Sequence, residues 1–331
     1  MRPTRERMAL TPPRTVVAVA AVVLLTAVGF STTWFVSANS LRDGIEAWIV
    51  ARRAAGFVVE HDRLQISGFP FRLTAALAAP AIAEPDHPRA WAWKADRLVI
   101  AGSPWDLTRL QVTLPAEQEL SYRPVAGGDR VVTATVDQGV AQFLLPRGVI
   151  EQVDVAASGL TLSTPDDEVR IERLAAGGRR VARDTLEVSV AIDDLTLPPR
   201  WGGPMGRGIA RFAADATIEG PLVPGDLPAA LIAWSEAGGT VEVEAMDLRW
   251  RDLAVAARGT LALDREMRPQ AALSAEIAGY GAALEALAEG GAMKPRDAAL
   301  TATALDLLAK PGADGARVLK LPLTAQDGTL F

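Results

Sequence analysis

Thr185-Leu186-Glu187-Val188-Ser189-Val190-Ala191-Ile192-Asp193-Asp194-Leu195-Thr196-Leu197 begins with an apolar residue at every second position. Successive side chains of a strand point to opposite faces, so Leu186, Val188, Val190 and Ile192 share one face and Glu187, Ser189 and Ala191 the other. One apolar face and one wet face is the pattern of antiparallel strands. Parallel strands are buried on both faces and read as continuous apolar runs. After Ile192, the pair Asp193-Asp194 moves the apolar phase to Leu195 and Leu197. Such a shift reads as a turn or a β-bulge, and bulges bend sheets.

The same alternation extends outward from this stretch. Val132, Ala134 and Val136 alternate with Thr133 and Thr135, and Leu160 and Leu162 with Thr161 and Ser163. Val241 and Val243 are followed, out of phase, by Met246, Leu248 and Trp250. Gly127-Gly128-Asp129, Pro165-Asp166-Asp167, Gly177-Gly178 and Gly202-Gly203-Pro204 are turn signals spaced to join short strands into a meander. The expected fold class is mainly β (α+β): a curved antiparallel β-meander or open trough over 57–331, with helical insertions near 226–237 and 280–309. Asp226 before Leu227-Pro228, with Gly238-Gly239 behind, marks the first helix. The second stops at Gly290-Gly291. The third starts near Pro295 and ends before Pro311-Gly312, completing a helical hairpin between strands.

The N-terminus reads differently. In the basic tail 1–14, Arg2, Arg5, Arg7 and Arg14 stand against Glu6, and no residue of 15–41 is charged. About 20 apolar helical residues cross a hydrocarbon core of roughly 30 Å, so a transmembrane anchor is expected over 15–38. Trp34 and Phe35 then fall near the far interface, where aromatic rings are favoured, and the basic flank stays on the cytoplasmic side. Val36-Ser37-Ala38 also fits a signal-peptide cleavage pattern. The anchor is preferred because the apolar stretch exceeds the roughly 7–15 residues of a signal core. Beyond it, Leu41, Ile45, Trp48 and Ile49 recur at helical spacing, which predicts a juxtamembrane amphipathic helix over 40–55 ending at Gly56. It would lie on lipid or cap the following sheet, and capping is the preferred reading.

Composition excludes more chemistry than it offers. The 331 residues contain no Cys, so disulfides, thiolate metal sites and cysteine nucleophiles are ruled out. A net charge of −6 without a basic run does not suit a phosphate backbone, and nucleic acid is not an expected partner. The two histidines, His61 and His87, lack partners at metal-ligand spacing. Glu60-His61-Asp62 reads as the wet end of a strand. There is no Gly-x-Ser-x-Gly elbow, Walker loop or dinucleotide fingerprint, and Asp166-Asp167-Glu168 lacks the alternating spacing of a calcium loop. No catalytic residue, metal ligand or cofactor is expected.

Two motifs remain as candidate structural or binding sites. In Gly68-Phe69-Pro70-Phe71-Arg72-Leu73, Pro70 cannot donate to a ladder and Gly68 permits a close backbone approach, so a kinked corner near the membrane is expected. Phe69 and Phe71 share a side if the segment is extended. Trp91 and Trp93 share one strand face beside Lys94 and Arg97, as core or rim aromatics or as a stacking platform.

Together the span, the helix after it, Gly68 to Leu73, Trp91 with Trp93, and the closing Leu321-Pro322-Leu323 with Asp327-Gly328 resemble a Gram-negative envelope family known as domain of unknown function 2125. The layout of one span followed by amphipathic β is also similar to AsmA-like envelope proteins. The first resemblance implies an address without an activity. The second implies a curved sheet that holds acyl chains. The expectation is an inner-membrane-anchored, non-catalytic protein with a cytoplasmic N-terminus and a periplasmic body, binding lipid or another amphiphile in a sheet groove. An envelope structural or assembly factor holding a protein partner is the alternative. An envelope hydrolase would need a cleft with two close carboxylates.

Overall fold

Helix α1 (Arg14–Ala54) is a single helix of 41 residues, about 62 Å long at 1.5 Å per residue. The structure, a computed structural model, describes residues 14–84, 90–124, 128–221, 227–264, 266–311, 317–326 and 329–330. The expected basic tail before Arg14, the loop holding His87, Gly127, Asp226, Gly312 and the Asp327-Gly328 turn lie outside the described residues. The expected span and amphipathic helix form one uninterrupted rod, because no proline falls between Arg14 and Ala54. Gly56, at φ 93, follows its end. In its apolar part, Thr26, Ser31, Thr32 and Thr33 return their hydroxyl protons to carbonyls four residues earlier, which pairs each of these four donors. Val22, Leu24 and Leu25 stand fully out from the body, whereas Trp34, Ala38, Leu41 and Ile49 are buried along one helical face.

Strands follow from Phe57 onward. They are β1 (Val58–Glu60), β2 (Arg63–Ser67), β3 (Leu73–Ala78), β4 (Ala81–Glu84), β5 (Trp91–Ala95), β6 (Arg97–Ser103), β7 (Asp106–Thr113), β8 (Glu117–Tyr122), β9 (Arg130–Thr135) and β10 (Gln138–Leu144). The longer β11 (Gln152–Ser163), β12 (Glu168–Ala182), β13 (Thr185–Thr196) and β14 (Gly208–Glu219) come next, with the short helix α2 (Pro199–Gly202) before the last of them. Then come α3 (Leu227–Glu236), β15 (Thr240–Trp250), β16 (Leu253–Leu263), β17 (Pro269–Ala278), α4 (Tyr280–Glu289) and α5 (Pro295–Leu308). Two-residue strands β18 (Lys310–Pro311) and β20 (Thr329–Leu330) flank β19 (Arg317–Gln326).

Every pairing is antiparallel. The first ten strands behave as five long strands, each broken once: β1–β2, β3–β4, β5–β6, β7–β8 and β9–β10, each pairing along both parts with the next. β11 takes up both parts of the last of these, β10 through its first half and β9 through its last residues. An up-and-down meander continues through β12 to β17 and ends on β19. The result is one open sheet that does not close into a barrel, in line with the expected meander.

The breaks line up into a crease. The Asp62 amide donates to Ala78 O, Ala79 to Asp96 O, Val136 to Ala116 O and Asp137 to Ser158 O. The line runs on through Gly159 (φ 60), Glu172 and Asp194 (φ 54), the mid-strand positions left out of the registers of β11, β12 and β13. Across it, apolar residues are an odd number of positions apart: Val59 and Leu64, Leu77 and Ile82, Trp93 and Leu98, Val136 and Ala141, Ile171 and Leu174, Ile192 and Leu195. A regular strand would throw such pairs onto opposite faces. One irregular residue in each strand returns them to the same face. Asp62, Asp96, Asp137, Glu172 and Asp194 on the crease are exposed, while Val59, Leu77, Val136 and Ile171 beside it are buried. The sheet therefore folds with its apolar face inside.

The expected phase shifts are bulges rather than turns. The register slips between Asp215 and Ala216 and between Val243 and Met246 without interrupting either strand. Gly177-Gly178, read from sequence as a turn, lies instead in the middle of β12. A Cβ on Gly177 would sit 3.0 Å from Ser189 Oγ and 3.1 Å from Asp154 Oδ1, so glycine here admits close side chains from both neighbouring strands. The late helices fall where expected. Trp234 of α3 packs on Gly220 and Gly239 and donates to Glu219 O at 2.9 Å, while α4 pairs with α5 and rests on residues 203–205 and β16.

Candidate functional site

The turn 68–72 joins β2 to β3 and grips α1. Gly68, at φ 102, accepts the Arg72 amide on its carbonyl at 2.9 Å, and a Cβ there would lie 2.5 Å from Arg72 O. Arg72 O in turn accepts the indole proton of Trp34 at 2.8 Å. Phe69 packs its ring 5.5 Å from Trp34 and 6.1 Å from Phe35. Phe71 meets Phe30 at 6.3 Å. The two phenylalanines thus reach different helix residues from a turn, instead of sharing one side of an extended strand. The next hairpin adds Trp105, 5.7 Å from Phe30, and Pro104 O, which accepts the Ser37 hydroxyl. Trp105 escaped the sequence reading; a lone tryptophan after Pro104 has no periodicity to betray it.

Behind this clasp, Trp34, Ala38 and Leu41 close over Leu73 and Ala75, both 0% exposed, with Ile45, Leu64, Ile66 and Ile100 around them. The helix thus lies on the apolar face of β2, β3 and β6 and does not cap a sheet end. Its far end is fixed as well: Arg53 Nε donates to Val59 O at 3.1 Å, and Arg52 stands 5.8 Å over the Phe57 ring.

Trp91 and Trp93 do share one face of β5. It is the apolar face, beyond the crease, where Trp93 is paired with Ile82 and Leu120. Their indoles donate to Glu84 Oε2 at 2.9 Å and Gln118 Oε1 at 3.1 Å, and Phe57 lies 6.2 Å from Trp91. Lys94 points to the other face and pairs with Glu119 at 2.9 Å. The crease separates the tryptophans from the 68–72 turn, so the two motifs form no common site.

The other face of the sheet is charged. Arg173, Asp193, Arg211, Asp247 and Arg249 form a ladder across β12 to β15, with separations of 3.5, 2.9, 3.7 and 3.4 Å. Shallow clefts open on this face. One of about 460 Å³ is lined by Arg72, Arg109, Gln111, Gln142, Gln152 and Asp154, and one of about 560 Å³ includes Asp154, Ser189, Arg211 and Asp215. Asp154 accepts from Gln152 at 2.7 Å. Asp167, from the acidic triplet, is engaged by Arg200 and Thr164, which makes that segment a turn. His61 sits half-buried at the crease with its Nδ1 unpartnered among the described residues. No three His, Asp or Glu side chains gather among the described residues.

Shifted titrations mark fixed polar contacts. The Tyr280 phenol is raised by its hydrogen bond to Asp306 at 2.6 Å and by burial, with Arg317 opposing. At Asp264, burial pushes the carboxyl up but is outweighed by the Arg268 amide and guanidinium, which hold it low. Asp106 is lowered by the hydroxyl and amide of Thr108.

What extends across the molecule is the apolar face. From Leu64 and Ile66 it passes through Val112, Val155, Leu174, Val190, Phe212, Leu248 and Val255 to Leu273, Leu321 and Leu323, all placed on one face by the strand registers. Helix α1 covers its first strands. From β12 to β14, Leu174, Val190, Ile192, Phe212 and Ala214 are half-buried. The total accessible surface is 21621 Å². A compact chain of 35.0 kDa would expose about 13,000 Å².

No curated protein and no solved structure matches the chain. A model of a family described as an uncharacterized protein conserved in bacteria, DUF2125, matches residues 34–331, from the tryptophan that clasps the first turn to the last residue. With Trp34 and the 68–72 turn, the whole sheet and the late helices inside that match, the chain belongs to the DUF2125 family.

Proposed function

We propose that the protein is a single-pass inner-membrane protein, with its N-terminus cytoplasmic and its body periplasmic, that holds the acyl part of a lipid or similar amphiphile without catalysis. The observation that carries this reading is the apolar face inside the creased sheet, continuous over the long strands and only half-buried over β12 to β14, beyond α1. Apolar surface that the chain covers only in part is stabilised by an apolar occupant. The helix that carries it is long and apolar enough to cross a membrane, and the basic residues before it favour a cytoplasmic N-terminus. To test this, full-length protein from membranes would be exchanged into mild detergent and weighed by native mass spectrometry. Wild type and Ser189→Asp, on the charged face, should retain lipid; Val190→Asp, one residue along on the apolar face, should lose it with an unchanged circular dichroism spectrum. A lipid-free wild type, or a Val190→Asp variant that keeps its lipid, would sink the idea.

A second reading rests on the last edge. Between its short contacts with β18 and β20, the outer side of β19 carries Leu319-Lys320-Leu321-Pro322-Leu323-Thr324 without a partner strand among the described residues. An added strand from an envelope protein would pair there, with Pro322 limiting the length of pairing. Crosslinking in cells from position 324 should then return one reproducible protein, and its failure to do so counts against an assembly role.

A further inference from the structure

Where α1 leaves the sheet, the surrounding turns are apolar at positions that water would normally claim. Phe69 is 53% exposed, Phe71 71% and Trp105 56%, although each touches the helix. The neighbouring turn, between β10 and β11, shows Val149 at 57% and Ile150 at 49%. It lies beside the β6–β7 hairpin, since Leu144 pairs with Arg109 and the Leu145 amide donates to Thr108 O at 2.7 Å. From β3 to β11 this end of the sheet crosses four strand spacings, about 19 Å.

The level of these turns along the helix is set by contact. Trp34 bonds Arg72 O, Ser37 bonds Pro104 O, and Phe30 touches both Phe71 and Trp105. Immediately before Phe30 the helix exposes Val22, Val23, Leu24, Leu25 and Val28. The turns therefore stand where the apolar rod ends, which in a bilayer is the interface. Arg72 and Arg147, both exposed, rise from the same turns. Of the acidic residues nearby, Asp106 is bound to Thr108 and Glu151 begins the return to β11.

We infer that turns 68–72, 103–106 and 146–150 enter the headgroup and upper acyl region of the bilayer that α1 crosses, giving the body a second membrane contact. Phenylalanine, tryptophan and branched aliphatics enter this layer, and the arginines meet lipid phosphate at its surface. The inference rests on α1 as a span and is independent of lipid held inside the sheet.

Because the chain lacks cysteine, one introduced thiol carries one label. Spin-labelled full-length Trp105→Cys, Val149→Cys, Leu25→Cys and Asp166→Cys would be placed in vesicles of phosphatidylethanolamine with phosphatidylglycerol. Collision with oxygen would then be compared with collision with a water-soluble nickel chelate. Asp166 lies in the turn at the opposite end of β11 and should be fully open to nickel. Positions 25, 105 and 149 should be shielded several-fold. If 105 and 149 are as open as 166 while 25 is shielded, the second contact is overturned and the span stands. If 25 is itself open to nickel, span and contact fall together, whatever lipid the purified protein retains.

Discussion

Gly68 and Ala79 both sit at positive φ, 102 and 46, yet substitutions there should act in opposite directions. Gly68→Ala places a Cβ against Arg72 O and should lower stability by about 1–3 kcal/mol, read as a fall in unfolding temperature in detergent. Ala79→Gly relieves a left-handed L-residue and should raise stability by up to about 1 kcal/mol. The same change at Ala76, in regular strand, should cost about 0.5–1 kcal/mol. Tyr280 gives a pH test. Its phenol is raised above the ordinary value of 10.0 chiefly by the bond to Asp306. The contribution is complete below that value and is lost as pH rises through the folded pKa. Unfolding temperature should therefore drop more steeply above about pH 10 in wild type than in Tyr280→Phe. Residues such as Gly68 were legible because a glycine two residues before a proline already points to a special backbone. Gly177-Gly178 misled because the same residue type serves turns and close strand contacts, and only the paired strands decide between them.

For elements, the docking of α1 on the sheet should dominate stability. Leu73, 0% exposed beneath the helix, should cost about 2–5 kcal/mol on replacement by Ala. Leu307→Ala, at a position 84% exposed on α5, should change stability by less than about 0.5 kcal/mol. Denaturant midpoints of the two variants would check both. Strand alternation and the late helices could be read from local period, since each is decided within one element. The crease could not. Asp193-Asp194 announces a phase shift in its own strand, but its alignment with Asp62, Ala79, Asp137 and Gly159 depends on pairings between distant segments. Nor does period show that the span and the helix after it are one rod, because polar Ser37, Asn39 and Ser40 interrupt the apolar pattern without interrupting the helix.

Taken whole, the molecule is a thin folded sheet on a long helix, and part of its apolar face stays half-buried in the isolated chain. An occupant of that surface would stabilise the fold by linkage, about 2.7 kcal/mol at a ligand concentration 100 times Kd. Delipidated protein should accordingly unfold at lower temperature than protein given back a long-chain lipid, with Val190→Asp indifferent to the addition. Of the candidate site, the sequence showed the apolar residues and the clasp motif. It could not show which side of the sheet folds inward, because alternation is the same for an open groove and a filled core. The unbroken helix adds a mechanical condition. On the proposed topology, the part of α1 that crosses the bilayer and the part bound to the sheet belong to one helix, so the body is held like a blade on a rigid shaft. In a thicker bilayer the shaft must stand more upright, and in a thinner one it must lean. Either change swings the open side of the sheet relative to the membrane plane, making bilayer thickness a setting for how that side faces the lipid.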